Sequence, residues 1–481
     1  MKIVSLCLLT LGLISPVFGA YHAAKPNILF IFLDDFGWKD TSYMGSDFFE
    51  TPHIDELVAE GMIFTQAYSA SANCAPARAS LLSGQYSPRH KIYNVGTTPR
   101  GEDEHRRLEH IPGVADLDPS IQTWAQVAQK AGYTTGTIGK WHLSPDPIPY
   151  GFDVNIGGSH SGSPPKGYYP PHPGAPGLED APEGEYLTDR LSDEAVKFIE
   201  QNASDPWLLY LTHFSVHTPI QAKTELVAQF EAKTPGELHH NVAMATMIKS
   251  TDDGIGRIMA KLEELNLSDD TAIIFFSDNG GYGPATDMYP LYGYKGTYYE
   301  GGIRVPLAIR WPGHIAPGQS SEALVTGVDI YPTFCEIMGA PVPDQILDGK
   351  SLVPVLTGSE PDPERAIFWH FPAYLQSYSQ TAAEQRDVLF RSRPVSVVRQ
   401  GDWKLHHFYE DDAYELYNLR EDIGETHNLA LLKPAKTGEL GKTLADWLQQ
   451  TGADIPQRPN PEFNSEVHAQ AVADRIKRDQ K

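Results

Sequence analysis

Asn27-Ile28-Leu29-Phe30-Ile31-Phe32-Leu33-Asp34-Asp35 is the stretch on which the fold turns. After its first residue the run to Leu33 never alternates apolar with polar, the pattern of a strand covered on both faces in a mostly parallel α/β sheet. It stops at two adjacent carboxylates. Buried unpaired at a strand end, two acids are costly, and the carboxyl edge of an open α/β sheet is where ligands bind. A divalent cation is the economical partner, with a solvated strand end as the alternative.

Three further strands end in chemistry of the same kind. Tyr133 to Gly139 runs into Lys140-Trp141-His142, whose Lys140 and His142 alternate and can point one way. The segment 206–212 leads through His213 to His217-Thr218-Pro219, and the segment 271–276 ends in Ser277-Asp278-Asn279-Gly280. A glycine-rich connection downstream carries Lys295 and, later, Arg304 towards the same neighbourhood. Asp34, Asp35, Asp278 and Asn279 together make a set of oxygen donors for one cation, which favours calcium or magnesium over zinc. Asp252-Asp253 is a second acidic pair, but it falls inside a long helical pattern near 242–265 and reads as structural.

Asn73-Cys74-Ala75-Pro76-Ala77-Arg78, with Ser83-Gly84 closing it, reads as a lone cysteine ahead of a short helix starting near Pro76 and stopped by Gly84. Arg78 falls four residues after Cys74, on the same side. The alternative is a buried cysteine before an ordinary helix. Cys335 lies on an apolar helical face and reads as a small buried hydrophobe. Thr51 is expected to cap a helix ending near Gly61. The long Gly, Pro, Tyr and His-rich segment 151–184 is expected to be irregular and to line the substrate site.

The composition is that of a globular protein, with 41% hydrophobic and 21% charged residues. With 62 Asp and Glu against 38 Lys and Arg, net −24, it lacks the basic face that a nucleic acid needs. Residues 1–20 have a charged start, an apolar middle too short to span a bilayer and small residues at the end, and read as a Sec-type signal peptide. No later apolar run suits a membrane span, so the mature protein is expected to be periplasmic or secreted. The chain is divided into the signal, a catalytic domain over 25–360, and a C-terminal subdomain over 361–481. That subdomain is expected to hold a small antiparallel sheet, a helix from Thr443 to Thr451 and a loosely held tail from about Pro456.

Taken together, Cys74-Ala75-Pro76-Ala77-Arg78, Asp34-Asp35, Gly139-Lys140-Trp141-His142, His217-Thr218-Pro219, Ser277-Asp278-Asn279-Gly280 and the Lys295 to Pro306 stretch resemble the formylglycine-dependent sulfatases of the alkaline phosphatase superfamily. The resemblance covers roughly residues 25–429; the family commonly carries serine where this chain has Ala77. It implies a large mixed, mostly parallel sheet between helices, with a smaller C-terminal antiparallel sheet plus helix. It implies that a maturation enzyme oxidises Cys74 to formylglycine, and that Asp34, Asp35, Asp278, Asn279 and residue 74 bind one calcium ion. Arg78 would help activate a hydroxyl of the hydrated aldehyde for attack on sulfur. Lys140 and Lys295 would clamp sulfate oxygens, His217 would protonate the leaving oxygen, and His142 would take the proton of the second hydroxyl. The expected substrate is a sulfated carbohydrate or small sulfate ester. A phosphonate or phosphate ester hydrolase on the same scaffold, and a catalytically silent glycan-binding homologue, are the alternatives.

Overall fold

The computed structural model describes residues 25–98, 100–379 and 386–479; the signal peptide read at residues 1–20 lies outside them. Strand Asn27–Leu33 sits in the middle of an eight-stranded sheet. From one edge the order is Val154–Ile156, Thr134–Gly139, Trp207–Thr212, Asn27–Leu33, Thr271–Ser277, Leu307–Arg310, Met62–Phe64 and Gln319–Ser321. Only Leu307–Arg310 runs against the others. The central strand shows why its sequence does not alternate. Ile28, Phe30 and Phe32 enter one hydrophobic core with helices Cys74–Ser83, Trp124–Lys130 and Ile330–Ile337. Leu29, Ile31 and Leu33 enter a second core with helices Pro52–Ala59, Leu187–Gln201 and Val242–Glu264 on the opposite face. Each of these strand side chains is buried, worth about 1.5–3 kcal/mol apiece.

Asp252 is structural, as its helical setting suggested: Oδ1 accepts the backbone N–H groups of His53 and Ile54, both at 2.9 Å. It thereby caps the helix Pro52–Ala59, the task expected of Thr51. Thr51 Oγ1 instead donates to Asp55 Oδ1 and accepts from Ser42 N. The segment 151–184 is less irregular than its composition suggests, because Val154–Ile156 adds a parallel edge strand to Thr134–Gly139.

Ala366–Phe371, Val395–Gln400, Trp403–Phe408 and Ala413–Asn418 form the expected antiparallel sheet, with helix Pro434–Thr451 packed on it. The buried Lys404 ammonium lies 2.9 Å from both Glu300 and Glu425 and ties this sheet to the main body. The expected loose tail is a correction. After Pro461 the chain forms helix Ser465–Asp479, opened by Asn464, whose Oδ1 accepts from Glu466 N and Val467 N. None of its residues is buried, so it carried no apolar stripe to announce it. It is docked by polar contacts, Arg475 and Arg478 donating to the carbonyls of Tyr378 and Ser379. Among the described residues, no helix is long and apolar enough to cross a membrane.

Helix Cys74–Ser83 is buried on all sides, which its run of alanines and serines permits. It is held by His90, whose Nε2 meets Ser80 Oγ at 2.9 Å while Nδ1 accepts Ile92 N–H at 3.1 Å. That bond fixes the neutral tautomer, and burial pushes the His90 pKa down to about 3. The unfolded chain takes up this proton near pH 6.5, the folded chain only near 3. Stability is therefore whole above 6.5 and is lost as pH falls through that window, this one group costing about 2 kcal/mol by pH 5. Urea unfolding of wild type and His90→Gln at pH 7 and 5 should show a smaller acid loss in the variant; equal losses would contradict the assignment.

Candidate active site

Four neighbouring strands, Thr134–Gly139, Trp207–Thr212, Asn27–Leu33 and Thr271–Ser277, deliver the polar residues to one sheet edge. Gly139, at φ +112, brings its backbone so close to Thr212 that a Cβ would lie 2.0 Å from the Thr212 carbonyl oxygen. Only glycine allows Lys140 N–H to reach that oxygen at 2.7 Å. Asp35 and His142 both adopt left-handed backbone, φ +58 and +67, a conformation that non-glycine residues hold only where the surroundings impose it.

Three carboxylates meet three cations here, all buried. Lys140 Nζ lies 2.6 Å from Asp34 Oδ2, and Lys295 Nζ lies 2.6 and 2.7 Å from the two oxygens of Asp35. Arg78 donates from Nε and Nη2 to Asp278 Oδ2 at 3.1 and 3.0 Å. Its Nη1 goes to the Lys140 carbonyl and to Thr212 Oγ1. Burial pushes Asp34 up and Asp278 up to about 7, with the Asp34 charge adding to the latter. Burial opposes the charge of Asp35 as well, but Lys295, His217 and Lys140 outweigh it and hold that carboxyl below its ordinary range.

The residues fit a hard cation. Asp34 Oδ1 and Asn279 Oδ1 are buried and have no hydrogen-bond partner. The orientation of Asn279 is fixed, since its Nδ2 donates to two acceptors, Asp35 Oδ1 and the Gly280 carbonyl. Ligand atoms of Asp34, Cys74 and Asp278 all lie within 4.8 Å of one another. Two orphaned oxygens beside this group are what a calcium-sized ion would satisfy.

Cys74 is the first residue of its helix rather than a residue ahead of it, because Pro76 needs no N–H partner in the first turn. Burial pushes its thiol up, so it stays protonated and is a poor nucleophile as it stands. Cys335 is buried, and it and Cys74 are free.

His142 is wedged against Gly162, where a Cβ would fall 2.4 Å from the ring, and its Nδ1 is buried without a partner. Burial, with Lys140 and Arg78 nearby, keeps it neutral. His217 Nδ1 lies 2.8 Å from the Thr218 carbonyl, which can only accept, so that nitrogen carries the proton and Nε2 lies 3.9 Å from Asp35. Burial and then Lys295 bring its pKa down to about 3. Tyr168 supports this segment from behind, its hydroxyl donating to the carbonyls of Phe214 and His217. The tyrosine-rich loop is thus partly a buttress, and it lines the cavity through Gly162 and Ser163.

Asp35, Cys74, His142, His217 and Lys295 open onto one cavity of about 520 Å³. Asp34, Arg78, Lys140, Asp278 and Asn279 are fully buried beside them. Sequence reasoning missed the mouth, where Asn94, Arg100, Tyr282, Gln376, Tyr378 and Arg391 gather. No local pattern marks them. Leu375–Gln376 and Phe390–Ser392 pair as a hairpin of the C-terminal part of the chain and fold over the sheet edge.

Comparison with known proteins agrees with this geometry. The sulfatase family model matches residues 26–340, and the model of the N-sulphoglucosamine sulphohydrolase C-terminal region matches residues 291–454. A sulfatase of Formosa agariphila is 32% identical, over 92% of this chain and 93% of its own. The N-acetylgalactosamine-6-sulfatase of Canis lupus familiaris is 30% identical, over 86% of this chain and 77% of its own. Among solved structures, Ps i-CgsB in complex with k-i-k-neocarrahexaose superposes with a TM-score of 0.72 at 27% identity, covering 95% of this chain and 98% of that one. With a family model spanning most of the chain and such relatives over nearly all of it, the chain belongs to the formylglycine-type sulfatase family of the alkaline phosphatase superfamily and is a sulfuric ester hydrolase.

Proposed function

We propose that this sulfatase removes sulfate from sulfated carbohydrates, using residue 74 matured to formylglycine and one calcium ion held by Asp34, Asp35, Asp278, Asn279 and residue 74. The observation that carries the reading is the pair of orphaned buried oxygens, Asp34 Oδ1 and Asn279 Oδ1, beside Cys74 and a cavity bordered by Lys295. The names of the relatives support a saccharide substrate: one is an N-acetylgalactosamine-6-sulfatase and a structural neighbour is in complex with k-i-k-neocarrahexaose. Residues 1–20 support export, and maturation requires an enzyme that oxidises the cysteine.

Calcium, held by Asp34, Asp35, Asp278, Asn279 and residue 74, would supply positive charge for the sulfate oxygens and favour an ionised hydroxyl at residue 74. The hydrated aldehyde supplies two hydroxyls, one to attack sulfur and one whose deprotonation expels sulfate, a release that serine cannot provide. Lys295 at the cavity wall, with Lys140 behind Asp34, would hold sulfate oxygens. His217 carries its proton on Nδ1 in the free site; a second proton on Nε2, which an anionic ester beside it would favour, would make it the acid for the leaving oxygen. His142, kept neutral by burial, is suited to accept the proton of the second hydroxyl. Arg78 acts as a positioning residue, since its donors are committed to Asp278, the Lys140 carbonyl and Thr212.

Sulfate release from a panel of sulfated oligosaccharides, run beside matched phosphate esters, tests the activity. Sulfate esters should win by orders of magnitude, and a preference for phosphate would overturn the reading. Intact-mass measurement of protein from its native host should find the aldehyde at position 74. Cys74→Ala should abolish turnover without unfolding, and Cys74→Ser should stop after at most one sulfation event; sustained turnover by either contradicts the chemistry. Arg78→Ala should destabilise the metal-free protein by roughly 3–5 kcal/mol, because it strands the Asp278 carboxylate. A loss under about 1 kcal/mol in urea unfolding would show that Arg78 is no keystone.

A further inference from the structure

Arg391 differs from the arginines that flank it in sequence. Arg386 is paired with Asp411 and Glu415, and Arg393 with Asp387 and Glu410. Arg391 holds no carboxylate among the described residues, and its Nε and Nη1 are buried without a hydrogen-bond partner. Its guanidinium lies over the Tyr378 ring, 3.8 Å from the centroid. Its Nε packs closely on Gly296, where a Cβ would stand 2.6 Å from it. Gly296 directly follows Lys295, so the arginine is seated beside the lysine that borders the cavity, and both line it with Cys74.

A guanidinium with two buried, unsatisfied donors costs free energy that an anionic ligand would recover. Its planar fork suits the paired oxygens of a sulfate or carboxylate. Tyr378 and Tyr282 meet edge to face at 5.0 Å and give the mouth an aromatic wall against which a sugar ring can lie. Tyr378 is fixed from behind, its carbonyl accepting from Arg475 of the last helix.

We infer that Arg391, stacked on Tyr378, is a specificity-determining residue that binds a second anionic group, sulfate or carboxylate, on the saccharide whose sulfate ester enters the pocket at Cys74. This deepens the sulfatase reading and rests on it for the identity of the first group. The preferred substrate is therefore at least doubly anionic.

The test uses three probes: a hexose monosulfate, the same hexose with two sulfates, and the monosulfate linked to a uronic acid. Binding is measured by calorimetry to full-length Cys74→Ala protein, which needs neither maturation nor turnover. The disulfate or the uronate-bearing probe should bind about tenfold or more tighter than the monosulfate, and which of the two wins identifies the second anion. In Cys74→Ala/Arg391→Gln that ratio should collapse towards one, and Arg391→Lys should restore part of it. An unchanged ratio in the glutamine variant, or no preference in the parent, overturns the inference. Sulfate release by the matured protein is followed alongside. Its absence with every probe, with the Arg391-dependent binding preference intact, would sink the sulfatase reading while upholding this one.

Discussion

The structure is organised around one electrostatic constraint: Asp34, Asp35 and Asp278 lie buried at the end of a sheet with Lys140, Lys295 and Arg78 as their counter-charges. Each carboxyl is matched by one cationic side chain, and burial still holds Asp34 and Asp278 towards their neutral forms. A divalent cation added to that matched set leaves an excess of positive charge, in a place where low dielectric makes it felt. Such a site waits for an anion. Repulsion of a sulfate ester by the protein's overall −24 charge is screened over about 10 Å, so the local excess decides.

The fold serves this constraint directly. Burying both faces of Asn27–Leu33 sets the position of Asp34 and Asp35 to the precision of a packed strand, and the neighbouring strands do the same for Lys140 and Asp278. The all-round burial of helix Cys74–Ser83 fixes residue 74 opposite them. Arg78 joins helix to strand ends, reaching Asp278, the Lys140 carbonyl and Thr212 at once. Its guanidinium also lies over Phe32, 5.1 Å from the ring centroid, so the central strand contributes to its seat.

What the sequence made legible was whatever depends on short-range pattern. The unbroken run before Asp34, the carboxylates, lysine and histidines at strand ends, and glycine closing the helix at Gly84 could all be read from neighbours a few residues apart. What depends on distant parts of the chain could not. Asp252 caps a helix roughly 200 residues earlier, which no local signal announces. Helix Ser465–Asp479 lacks an apolar face, so hydrophobic periodicity was silent and its prolines upstream suggested a tail. The mouth residues Tyr282, Tyr378 and Arg391 become a wall only when a hairpin of the C-terminal part folds over the sheet edge. The gathering of the buried polar residues at one sheet edge was therefore visible in sequence and the rim of the cavity was not.

The central claim is that cation and sulfate bind this site cooperatively, because a divalent cation adds positive charge to a buried site whose carboxyls are already matched one to one by cationic side chains. Calorimetric titration of inorganic sulfate into the protein, stripped of divalent metal and then saturated with calcium, measures that coupling directly. The account predicts that sulfate binds at least tenfold tighter with calcium present. Equal affinity in the two states would contradict it.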